Sequence, residues 1–242
     1  MAIAFCYKQY FAAGNCCTKE IEPPHETPTA CPAPTVIPLD IIVERKPMSE
    51  DILRQGLDTI HAALSVRDNT IEYRVVGAGA VWAMGMAYRG TADFDIVVQN
   101  AEAIKARRIL LQHNKFGKSS LNSLFIHIGT KYYNVDILTT SRSQLSIFPP
   151  GRYDQHVTMA IIAPIDSMLE TKIGAYRNPE RKASKRSTDE SDIAFLLDIA
   201  AQKAMAFGFD SIVELDKAFS ASFRSRRREC EKSLDLLGCA LE

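Results

Sequence analysis

The chain has 242 residues, 46% of them hydrophobic and 24% charged, the balance of an ordinary globular protein with enough apolar material for a sizeable core. Lys+Arg and Asp+Glu both number 29, so the formal net charge is zero and a global electrostatic drive onto nucleic acid is excluded, although a local basic patch is not. No apolar run reaches the length of a membrane span, and Lys8, Gln9 and Asn15 interrupt the apolar N-terminus, so neither a membrane segment nor a secretory signal is expected.

Cytoplasmic residence with reduced thiols is the resulting expectation. Cys6, Cys16, Cys17 and Cys31 lie near one end and Cys230 and Cys239 near the other, with no paired C-x-x-C spacing to suggest zinc. Residues 1–47 differ from the rest. Seven prolines fall between Pro23 and Pro47, which predicts an extended or disordered segment. Residues 48–163 are read as a mixed α/β domain and residues 164–242 as a helical region.

Ser49 is a good N-cap, with Glu50 and Asp51 behind it, and Ile52, Leu53, Leu57, Ile60 and Leu64 recur at helical spacing. Tyr73–Val76 reads as a short strand, broken by Gly77-Ala78-Gly79, and Ala80 to Ala87 as a short buried helix. Phe94–Val98 reads as a second strand and Ala101 to His113 as a helix. Leu124–Ile128 and Tyr132–Leu138 flank Gly129-Thr130 as a β-hairpin. Val157 to Ile162 is expected to form another strand, and Pro164 to open a helix to about Tyr176. Ser187-Thr188-Asp189-Glu190 has capping-box spacing ahead of the run Ile193 to Leu197. Helices are expected near residues 211–223 and 226–237.

The chemistry is concentrated in carboxylates. Asp93-Phe94-Asp95 enters a β-branched run, so both acids point to one face and Phe94 to the other. Two such carboxylates repel unless a cation lies between them. Alone, an Asp-x-Asp in a chain of this length carries little weight. Asp136 adds to it, because an acid between Val135 and Ile137 in an apolar strand is costly unless it is paired or metal-bound. Three carboxylates on neighbouring strands can hold magnesium, which favours hard oxygen ligands and phosphate, and can hold two such ions. Gly77-Ala78-Gly79 allows a sharp turn, close backbone approach and free N–H groups for phosphate, without the spacing of a dinucleotide fingerprint. Arg89 can neutralise a phosphate or pair with a carboxylate, and Thr91 can fix the loop. Arg224 and Arg226–Arg228 form a basic cluster best read as a solvated helix face. His113, His127 and His156 have no partner at metal-ligand spacing.

The ordered set Val76-Gly77-Ala78-Gly79-Ala80, Arg89-Gly90-Thr91-Ala92-Asp93-Phe94-Asp95-Ile96 and Val135-Asp136-Ile137 resembles the polymerase-beta-type nucleotidyltransferase superfamily. It resembles more closely the minimal and the abortive-infection type IV toxin (AbiEii-like) nucleotidyltransferases. Leu169-Glu170-Thr171-Lys172, Arg177, Lys185, Asp189 and Asp192 resemble, more loosely, the helical region of the toxin group. Ala78 stands where those families have a second glycine or a serine. The resemblance covers roughly residues 70–200. It implies a small mixed sheet flanked by helices and followed by a C-terminal helical region, with Mg²⁺ or Mn²⁺ at Asp93, Asp95 and Asp136. It also implies transfer of a nucleotidyl group from a nucleoside triphosphate to RNA or tRNA, a protein hydroxyl or a small molecule. In that reading Gly77, Ala78, Gly79, Arg89, Thr91 and Lys172 serve the triphosphate, and Asp189 contacts the acceptor or ribose. The alternative is a nucleotide-binding or toxin-like interaction module of the same fold that does no chemistry.

Overall fold

The computed structural model describes residues 43–66, 71–86, 89–140, 157–205, 212 and 215–239. The proline-rich stretch, apart from its last five residues, lies outside this set, as do His156 and Cys6, Cys16, Cys17 and Cys31. Cys230 and Cys239 are buried free thiols.

Helix α1 spans Glu50–Leu64, and the Ser49 hydroxyl accepts from the Ile52 N–H at its start. Its buried face is Leu53, Leu57, Ile60 and Leu64, the spacing of one helical stripe, and it packs on α3 (Ala103–Gln112) and β4 (Leu124–Ile128). Strand β1 (Tyr73–Val76) runs directly into α2, which begins at Gly77 itself and ends at Ala83. The glycines therefore open the helix rather than separate it from the strand. Strands β2 (Asp93–Val98), β3 (Phe116–Lys118) and β5 (Lys131–Thr139) complete a five-stranded sheet in the order β1-β2-β5-β4-β3. Only β2 and β5 are parallel; the other neighbours are antiparallel, and β4–β5 is the expected hairpin. Phe94 is fully buried and meets the Tyr133 ring edge-on at 6.4 Å, so the apolar face of β2 is committed to the core.

Beyond the sheet every described element is helical: α4 (Ile165–Arg177), α5 (Ala183–Gln202), α6 (Lys217–Arg226) and α7 (Glu231–Leu236). Helices α4 and α5 pack against each other. The molecule is thus a mixed α/β sheet flanked by helices with a helical C-terminal region. No described helix is long and apolar enough to cross a membrane.

Two local expectations are corrected, and one strand is new. Residues 157–162 form no strand. Asp58 accepts from the Thr158 hydroxyl at 2.6 Å and the Met159 N–H at 2.7 Å, which turns the chain, and only a bridge between Val75 and Ile162 remains. The Ser187–Glu190 box caps nothing, because α5 starts at Ala183 and runs through it. The Thr188 hydroxyl bonds back to the Ser184 carbonyl, and Asp189 is buried in ion pairs. β3 was not expected; its Phe-Gly-Lys is too short to show alternation. The basic cluster near the C-terminus is largely spent on local pairs, Arg224 with Asp235 and Arg227 with Glu229, while Arg226 bonds the Tyr176 hydroxyl.

Candidate active site

Register brings the acids together. In the parallel β2–β5 pair Asp95 lies opposite Asp136 and Asp93 opposite Asn134, so all four side chains rise from one face of the sheet. One ligand oxygen from each of Asp93, Asp95 and Asp136 lies within 4.8 Å of the others. Two neighbours orient the carboxylates. The Thr91 hydroxyl donates to Asp93 Oδ1 at 2.7 Å, and Asn134 Nδ2 donates to Asp136 Oδ1 at 2.7 Å. The sequence reading gave Thr91 a role in the loop but missed Asn134, whose position two residues before Asp136 puts it on the same face.

Gly77 sits at φ +66, a left-handed conformation that side chains resist, and a Cβ there would lie 2.2 Å from Asp95 Oδ2. The turn is therefore built around the Asp95 carboxylate. Burial first, then the like charges of Asp93 and Asp136, push that carboxyl up to about 7, against the pull of Lys172 and Lys185. Three crowded carboxylates with one held near neutrality are what a divalent cation relieves, and an all-oxygen donor set suits Mg²⁺ or Mn²⁺. The residues present fit such an ion.

The other wall of the site is helical. Asp192 on α5 is fully buried and takes Lys172 Nζ of α4 at 2.7 Å and Arg89 Nε at 2.7 Å. Arg89 also donates to the Gly90 carbonyl at 2.8 Å. Asp189, one helical turn away, takes Arg181 through both nitrogens at 2.7 and 3.0 Å and has Lys172 at 3.6 Å. Lys172 is itself buried, at 8% exposure, so its ammonium is committed to these carboxylates rather than to bulk water. Asp189 and Asp192 against Arg89, Lys172, Arg181 and Lys185 leave this wall net positive, facing the acidic cluster.

A cleft of about 320 Å³ lies between the two walls. Gly77, Ala78, Arg89, Thr91, Asp93, Asp95, Lys172 and Asp189 line it, together with Arg181, Lys185 and Thr188. Asp136 joins through the carboxylate cluster. Gly79 is buried within α2 and stands back from the cleft, and Arg177 pairs with Asp216 elsewhere. Arg181 and Thr188 were missed by sequence reasoning. Arg181 lies in the short connection between α4 and α5, and nothing in its local pattern marks it out.

No family model matches the sequence, and no curated protein matches it. Among solved structures, an antigenic nucleotidyltransferase-like protein from Paracoccidioides brasiliensis is similar with a TM-score of 0.63 and 19% identity, over 78% of this chain and 95% of that one. The antibiotic-resistance factor ANT(2'')-Ia matches with a TM-score of 0.47 and 13% identity, over 76% of this chain and 97% of its own. JHP933 from Helicobacter pylori matches with a TM-score of 0.45 and 15% identity, over 80% of this chain and 83% of its own. The chain has the nucleotidyltransferase fold, with a three-aspartate cluster at the head of its parallel strand pair.

Proposed function

We propose that this chain is a metal-dependent nucleotidyltransferase that moves a nucleoside monophosphate from a nucleoside triphosphate to an acceptor hydroxyl. The carrying observation is the convergence of Asp93, Asp95 and Asp136 on one face of the sheet beside the Gly77 turn. Asp93 and Asp95 hold Mg²⁺ or Mn²⁺, and Asp136 shares in that binding. When bound there, the cation supplies positive charge against the carboxylates and the triphosphate and eases loss of the acceptor's proton.

The chain's own groups do the rest. Asp136, at the open end of the cluster, accepts the proton of the acceptor hydroxyl. That oxygen bonds to the α-phosphorus while the bond to pyrophosphate breaks. The backbone N–H groups of Gly77 and Ala78, at the start of α2, suit the outer phosphates. Ala78 keeps the amide but brings no hydroxyl. Lys172, Lys185 and Arg181 offset phosphate charge from the helical wall, and Arg89 steadies the loop that carries Thr91. Asp189, tied to Arg181 and Lys172, positions those cations and borders the acceptor or ribose.

The order of motifs further supports kinship with the abortive-infection type IV toxin group, whose helical lysine and paired aspartates have their counterparts in Lys172, Asp189 and Asp192. RNA or tRNA, a protein hydroxyl and a small molecule all remain candidate acceptors. A second reading, nucleotide binding without transfer, is favoured by one observation: Arg89 and Lys172 are both already held by Asp192.

Each triphosphate, labelled at the α-phosphate, is incubated with the protein, Mg²⁺ or Mn²⁺, and added RNA. Label transferred to the protein, RNA or a small molecule, and lost in Asp95→Ala, supports the proposal. Saturable nucleotide binding with no transfer supports the second reading. No binding of any triphosphate excludes both.

A further inference from the structure

The segment leading into α1 touches the start of β5 and the loop that carries Gly90 and Thr91. Val43 makes a parallel bridge with Tyr132, near the start of β5, and the Glu44 N–H donates to the Tyr132 carbonyl at 2.9 Å. Glu44 Oε2 holds Lys131 Nζ at 2.6 Å, while its Oε1 accepts from the N–H groups of Arg45 and Lys46. At the far end the Met48 N–H donates to the Thr91 carbonyl at 2.7 Å, and the Met48 side chain is buried. Between these anchors Pro47 lies against Gly90: a Cβ there would meet Pro47 Cβ at 2.6 Å and Cγ at 3.2 Å, its nearest contacts outside the adjoining residues.

These contacts join the two strands that carry the acids at their starting ends. One anchor is on β5, which bears Asp136. The other is on Thr91, whose hydroxyl holds Asp93 Oδ1. We propose that residues 43–48 form a strap that positions Asp93 for metal binding, with Pro47 and Met48 acting through Gly90 and Thr91. The inference rests on the metal-dependent reading above and adds positioning residues to it. None of the strap residues reaches the cleft, so their effect is on the placement of a ligand oxygen. A ligand carboxylate needs its orienting partner, and the strap fixes the backbone from which that partner projects.

Gly90 gives a direct test because its backbone is not in the left-handed region, and an added methyl group meets Pro47 first. Mn²⁺ affinity is measured on the full chain by the spin resonance of free Mn²⁺, with thermal melting as the folding check. Gly90→Ala is expected to weaken Mn²⁺ binding about tenfold, the size of effect seen when the support behind a metal ligand is lost. Pro47→Gly alone loosens the strap and is expected to weaken binding about two- to threefold, and in that background Gly90→Ala adds nothing further, because the atoms it would strike are gone. Pro47→Ala keeps its Cβ and does not relieve Gly90→Ala.

Unchanged affinity in Gly90→Ala overturns the strap, as does an equal loss with and without the Pro47→Gly change. Should Gly90→Ala fail to fold, unchanged affinity in Pro47→Gly alone overturns it. If the parent protein binds no Mn²⁺ at all, the metal-dependent reading fails first. If the parent binds and Asp95→Ala does not, the reading stands and the variants judge the strap alone.

Discussion

Asp95 and Asp136 lie opposite each other across the one parallel strand pair of the sheet, so two carboxylates from distant parts of the sequence share a face at register distance. Asp93 adds a third from two residues away. Three carboxylates this close repel one another unless a positive charge offsets them, and the consequences of that crowding can be measured.

The metal-free protein is expected to lose stability as pH rises. The Asp95 carboxyl stands at about 7 in the fold, against 3.8 as its ordinary value. The folded state thus holds the proton more tightly than the unfolded chain does. That stabilisation is complete below about pH 4 and is lost progressively as pH rises through about 7. Thermal melting in a chelator, compared at about pH 5 and about pH 8, should show a larger fall for the parent than for Asp95→Asn. Mg²⁺ should raise the melting temperature more at the higher pH, where the carboxylates are ionised. A Mg²⁺ effect equal at both pH values contradicts this electrostatic account.

Gly77→Ala is expected to damage both fold and site. The residue would have to adopt φ +66 and place its Cβ 2.2 Å from Asp95 Oδ2. The backbone strain alone costs roughly 1–3 kcal/mol, and the displaced carboxylate adds loss of metal binding. Urea unfolding and Mn²⁺ titration check the two effects separately. Normal metal affinity in a folded Gly77→Ala protein would show that Asp95 is not the group the turn accommodates.

Asn134→Ala removes the donor that fixes Asp136 Oδ1 and leaves every proposed metal ligand in place. Mn²⁺ affinity should fall by about tenfold, with little change in melting temperature, since Asn134 is only half-buried. Full affinity in this variant would mean that Asp136 needs no orientation or takes no part in binding.

Asp192→Ala is expected to cost more stability than any change to the cluster itself. The side chain is fully buried between Lys172 and Arg89, and its loss leaves two cations without their nearest counter-charge. Removing one partner of such a buried network costs about 3–5 kcal/mol. Equilibrium urea unfolding measures it. A loss under about 1 kcal/mol would indicate that Lys172 and Arg89 find other partners readily.

The acidic half of the site was legible in the sequence because strand alternation is a strict rule. Once Asp93-Phe94-Asp95 was read as a strand, the shared face of its acids followed, and the apolar flanks of Asp136 marked it as out of place. The helical half was far less legible. Asp189 and Asp192 sit one turn apart on α5, but their partners Arg89 and Arg181 come from two separate loops, and no periodicity reports a pairing between loops. The Ser187–Glu190 box looked like a helix start because capping spacing recurs inside helices, whereas the helix has already begun at Ala183. The 157–162 stretch has strand-forming residues, yet the Asp58 carboxylate, about a hundred positions earlier, holds the Thr158 hydroxyl and the Met159 N–H.

In the proposed mechanism three aspartates jointly bind a divalent cation for use on a triphosphate. Its most direct test is anomalous diffraction from crystals grown with Mn²⁺ and a non-hydrolysable triphosphate. The account predicts a manganese peak at coordination distance from carboxylate oxygens of Asp93, Asp95 and Asp136, with the phosphates between it and the Gly77 turn. Manganese bound elsewhere, or nucleotide bound with no metal among these three residues, would contradict it.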